Sequence, residues 1–187
     1  GGEGDGVPFA KAYRVFNAAD VDGLPARLIP PPPPRHAVPL PVARAERFFR
    51  AVGARVLHGG DVACYAIGPD HIRMPPMGCF RDAPAYYATL AHEHVHWTRH
   101  PSRLGRDLGR RRWGDAGHAL EELVAELGAA FLCARLGLAP EPMPDHARYL
   151  VSWLAALGHD HTAVLDMAGH AQRAVDHLCG LAAAGRA

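Results

Sequence analysis

His92-Glu93-His94-Val95-His96 matches the pattern H-E-x-x-H. Residues four apart lie on one face of an α-helix, about 6 Å apart along its axis. His92 and His96 can therefore offer two imidazoles to one zinc ion. Glu93 projects to the side, where it can hold a water acidified by the metal and take its proton. At the His and Glu frequencies of this chain, about 0.03 chance matches are expected. The stretch also falls in a predicted helix. Asp82 reads as the N-cap and Pro84 lies in the first turn, so the helix runs from Ala83 to about Arg99 and ends before Pro101. His94 points off the ligand face and is expected to pack or to meet solvent.

A catalytic zinc site needs a third protein ligand and one open position. The best source is the next long helix, predicted from about Asp115 to Leu136, which carries Glu121-Glu122-Leu123-Val124-Ala125-Glu126. Glu122 and Glu126 share a face, so one can bind metal while the other orients a ligand histidine. Glu121 is one position off that face and is the second choice. Leu123, Leu127, Ala130 and Phe131 surround the face, and acids beside such a stripe need partners if buried. His100 lies about 12 Å from His92 along the same helix and cannot reach the same ion. The longer pattern H-E-x-x-H-x-x-G-x-x-H would need Gly at Arg99 and His at Ser102, and both are absent.

Upstream of the metal helix, Tyr13–Asn17, Arg55–His58, Val62–Ile67 and His71–Met74 read as strands, and Val42–Val52 has helical periodicity. Pro75-Pro76 ends the last strand and predicts that it is a sheet edge, where an extended peptide could pair beside zinc. Downstream, Asp145–Leu157 and His161–Ala183 read as helices. Strands and one helix first, then helices alone, predict an α+β fold with a small twisted sheet in the N-terminal half. Residues 1–8 read as a flexible lead, 9–183 as one domain and 184–187 as a tail. Pro30–Pro34, five prolines in a row, read as a stiff connector.

Composition excludes several classes. The net charge of +1 does not call for a nucleic-acid partner, and no apolar run reaches the length of a membrane helix. The start has neither the basic nor the apolar segment of a signal peptide and lacks an initiator Met, as expected of a fragment or a processed chain. Cys64, Cys79, Cys133 and Cys179 form no C-x-x-C pair and read as reduced thiols of a cytoplasmic protein. Arg99, Arg103, Arg106, Arg110, Arg111 and Arg112 crowd the segment after the metal helix. They read as a solvated loop, with contact to phosphates or an acidic partner as the alternative. His170, Tyr65, Tyr86 and Tyr87 are candidates for stabilising an oxyanion, and the sequence does not choose among them.

Several blocks in one chain order resemble the C-terminal region of ArdC-type antirestriction proteins. They include Tyr13–Asn17, Asp22–Pro25, Ala45–Phe49, His58–Asp61, Met74–Pro76, Phe80–Asp82, Tyr86–Leu90, the H-E-x-x-H, His96–Thr98, His100–Leu104, Glu121–Gly128 and His170–Ala174. The resemblance covers most of residues 8–180. It implies a zincin-like metallopeptidase domain, found also in plasmid primases, that family members join to an N-terminal domain binding single-stranded DNA. By position it implies that His92, His96 and Glu122 bind one zinc ion, that Glu93 is the general base, and that Glu126 is the acid behind the ligands. The implied partners are a protein or peptide substrate, and DNA through the associated N-terminal domain or the Arg99–Arg112 loop. No counterpart of that N-terminal domain is expected here. Arg99 also departs from the family pattern, which has Gly between Thr98 and His100. A peptidase is one reading. A non-proteolytic module that blocks a nuclease or coats DNA, with zinc as a structural remnant, is the other, and a purely structural zinc fold is a third.

Overall fold

Ala45, Phe48, Phe49 and Val52 recur at helical spacing, and in the computed structural model they are the buried side of helix α1, Ala43–Val52. Gly53 ends it with φ 77°, a left-handed conformation that glycine adopts without strain. The structure describes residues 23–25, 42–109, 116–138 and 162–185. The expected strand Tyr13–Asn17, the proline run and the expected helix Asp145–Leu157 lie outside these residues. The site described below belongs to a compact unit, His36–Ala187.

Three short strands follow α1: β1, Val56–His58; β2, Cys64–Ala66; and β3, His71–Met74. β3 is central. It pairs in parallel with β1, Val56 opposite Ile72, and antiparallel with β2, Tyr65 opposite Ile72. The expectation that β3 is an edge is therefore wrong. Pro75 and Pro76 lie just beyond Met74, so their missing N–H groups remove no ladder bond, and Gly59 N–H still donates to the Met74 carbonyl at 2.9 Å. β3 is also the most buried strand, with Ile72 and Met74 fully enclosed. The edges among the described residues are β1 and β2.

Helix α2, Ala83–Trp97, starts where Asp82 accepts a hydrogen bond from Ala85 N–H at 2.7 Å, with Pro84 in the first turn. It ends two residues earlier than expected. Pro101 bars His100 from the helix, and the last turn tightens instead: Arg99 N–H bonds the His96 carbonyl, and the Arg103 side chain donates to the Trp97 carbonyl at 2.7 Å. Helices α3, Ala116–Arg135, and α4, Thr162–Ala184, complete the described elements. Val95, Val124, Leu132, Val175 and Leu178 from α2, α3 and α4 are fully buried together. Gly128 of α3 sits against Val95 of α2, and a Cβ there would come 2.7 Å from Val95 Cγ2. The fold is α+β, as the element order predicts. No described helix is long and apolar enough to cross a membrane.

Candidate metal centre

One turn of α2 separates His92 from His96, and their Nε2 atoms converge at 3.0 Å. Glu122 enters from α3, its Oε2 at 3.4 Å from His92 Nε2 and its Oε1 at 3.4 Å from His96 Nε2. A tetrahedral ion with bonds of about 2 Å sets its ligand atoms about 3.3 Å apart. The three separations therefore suit one small divalent ion. Charge agrees with geometry. Glu93, Glu121, Glu122 and Glu126 gather here against one buried arginine, Arg106. From protein groups alone, burial disfavours a charged His92, yet Glu122 and Glu126 outweigh it and lift its pKa to about 10. Glu122 is held below the usual carboxylate range, because its bonds to His92 and His96 overcome the cost of burial. An arrangement that favours a proton on both rings favours a cation between them.

Glu93 is buried beside this cluster. Burial raises its pKa, while the His96 and His92 charges and a backbone hydrogen bond from Tyr65 of β2 pull the other way. Glu126 Oε1 lies 3.3 Å from His92 Nδ1. Glu121, the second choice for third ligand, faces elsewhere: its Oε1 accepts from His96 Nδ1 at 3.1 Å, on the far side of that ring. His118, one turn before Glu122, comes within 3.4 Å of Glu122 Oε1.

The other candidates have side-chain partners of their own. His100 Nδ1 is near the Ser102 hydroxyl at 2.7 Å, away from the cluster. His94 is fully buried against Phe49 at 4.6 Å between ring centroids. Tyr87 is buried too, donating to Glu46 at 2.6 Å. Tyr65 donates to Asp70 at 2.8 Å, and Tyr86 shares a 2.8 Å hydrogen bond with His58.

The arginine segment departs from the expected solvated loop. Arg103 stacks on Trp97, 3.7 Å from the ring centroid, and pairs with Asp70. Arg106 turns into the core and pairs with Glu121. Neither is free to meet a phosphate, and Arg110–Arg112 lie outside the described residues. Arg106 and His118 were not anticipated as part of the site. The signal for Arg106 was Glu121 itself, an acid next to an apolar stripe that needs a cation once buried.

A model of the zincin-like metallopeptidase family matches residues 43–170. This chain belongs to that family. The uncharacterized protein y4eC of Sinorhizobium fredii is 46% identical over 170 residues, which covers 91% of this chain and 54% of that protein. A DNA primase TraC of Escherichia coli is 41% identical over 165 residues, covering 88% of this chain and 15% of the primase. The Mn(II)-bound crystal structure of the antirestriction protein ArdC from plasmid R388 is 41% identical, with a TM-score of 0.70 over 91% of this chain and 62% of that one. The metal-free ArdC structure has a TM-score of 0.67. This zincin-like chain thus spans about half the length of the curated relative y4eC and a small part of the primase.

Proposed function

We propose that this chain is a zinc-dependent peptidase module of an antirestriction protein. The convergence of His92 Nε2, His96 Nε2 and Glu122 beside Glu93 carries the reading. In it, His92, His96 and Glu122 hold one ion. Two nitrogens and one oxygen suit zinc, which would supply a Lewis acid and a water acidic enough to deprotonate near neutral pH. Glu93 takes that proton and passes it to the leaving amine. Its burial, which raises its pKa, fits a group that must hold and release a proton. Glu126 steadies the His92 ring. A structural zinc site has no use for Glu93, which favours the enzyme over a purely structural fold.

The substrate is an extended segment of protein. With β3 central, the edge suited to receive it is β2, whose Tyr65 backbone reaches Glu93. The four free thiols fit the cytoplasm. The likeness to ArdC and to TraC supports service to a mobile element, with DNA brought by a domain joined to this one.

A second reading has its own support. ArdC is an antirestriction protein, and protection of DNA can rest on binding alone. Glu93→Gln separates the two. The variant should keep wild-type zinc content and lose peptide cleavage by about 100-fold or more. Undiminished protection from restriction in Glu93→Gln would sink proteolysis as the biological activity and leave the binding module.

A further inference from the structure

We infer that Arg106 and Glu121 are a buried positioning pair that fixes the nitrogen through which His96 meets the metal. The inference rests on the reading of His96 as a ligand. Arg106 leaves the loop after α2 and returns to the core, where its side chain is 3% exposed and that of Glu121 2%. The contact is two-pronged: Nε donates to Glu121 Oε2 at 2.8 Å, and one terminal nitrogen donates to Oε1 at 2.7 Å. Two further Arg106 donors are used, on the Thr98 hydroxyl at 3.1 Å and the Val95 carbonyl at 3.0 Å. Thr98 donates in turn to the Val95 carbonyl at 2.6 Å. The guanidinium is thus fastened to the last turn of α2, the same turn that carries His96.

Glu121 beside Arg106 is an ionised carboxylate and can only accept hydrogen bonds. Its Oε1, 3.1 Å from His96 Nδ1, therefore requires the proton of that ring to sit on Nδ1. In the neutral ring that a metal requires, Nε2 is left as the lone-pair nitrogen, and it is Nε2 that faces His92 and Glu122. Arg106 locks Glu121, Glu121 locks the ring, and the ring presents one nitrogen. Stability alone is a poor reason to keep such a pair, because apolar residues of like volume often serve as well. The helix order explains why both acids are needed. Glu121 and Glu122 are adjacent on α3, so they approach the His96 ring from its two nitrogens at once.

The test uses the full chain and zinc. Glu121→Gln and the double variant Arg106→Met with Glu121→Gln are compared with wild type. Zinc affinity is read by competition with a chromogenic chelator, and unfolding is read after metal removal. We expect zinc to bind 10- to 100-fold more weakly in a variant whose metal-free unfolding midpoint matches wild type. The double variant leaves neither charge unpaired and guards against a simple folding defect. Zinc affinity within twofold of wild type in such a variant overturns the inference. If no variant folds, nitrogen chemical shifts of zinc-loaded wild type decide. Zinc on His96 Nε2 with a proton on Nδ1 supports the pair, and zinc on Nδ1 refutes it. A wild-type chain that binds no zinc overturns this inference and the peptidase reading together, whereas tight zinc binding with indifferent variants overturns this one alone.

Discussion

Helix α2 carries three histidines within one and a half turns, and its two faces treat them oppositely. His92 and His96 face α3, which offers Glu121, Glu122 and Glu126. His94 faces α1, which offers Phe49, with Trp97 of its own helix nearby. Carboxylates overcome burial on the first face and raise the pKa of both rings. On the second face burial goes unanswered and holds His94 down to about 4, although Nδ1 donates to the Leu90 carbonyl at 2.7 Å. The backbone and the residue type are shared. What the neighbouring helix brings decides whether an imidazole is set to hold a cation or only to pack.

The largest break in this contrast is Glu122→Ala, which removes the group reaching both rings. Zinc binding should weaken by more than about 100-fold, beyond what loss of a supporting residue costs. Metal content of the purified variant beside wild type checks it, and equal zinc in both would refute the assignment of Glu122.

The next effect belongs to the other face. A folded-state pKa below the usual 6.5 means that the unfolded chain binds more protons between pH 6.5 and 4. The stability tied to a neutral His94 is complete above about pH 6.5 and is lost as pH falls toward 4. From the shift to about 4, the loss is roughly 3 kcal/mol. Chelator-treated wild type should therefore lose more stability over that range than His94→Leu, in denaturant titrations at several pH values. Parallel curves would show that His94 is not held neutral.

The smallest effect sharpens the ligand face. Glu126 reaches the outer nitrogen of His92, so Glu126→Gln should weaken zinc by about 10-fold with little change in metal-free stability. A chelator competition measures it.

Much of this was legible in the chain. Spacing alone brought His92 and His96 to one face, and Asp82, Pro84 and Pro101 bounded their helix to within two residues. The α1 stripe was readable because periodicity records which side is buried. Two features were not readable. Strand order in the sheet depends on pairing between distant segments, so a proline pair after Met74 suggested an edge where the ladder puts a centre. The inward turn of Arg103 and Arg106 depends on where Asp70 and Glu121 lie in space, which a run of arginines does not disclose.

The close approach of Gly128 to Val95 bears on how this family can vary. Val95 occupies one of the two free letters of H-E-x-x-H, where a one-dimensional pattern admits any residue. The contact makes that letter the dependent of a residue more than thirty positions away. Relatives that carry a side chain at position 128 should carry a smaller one than valine at position 95, and the two positions should drift as a pair. A search pattern that scored them jointly would separate true members from chance matches better than the five-letter motif does.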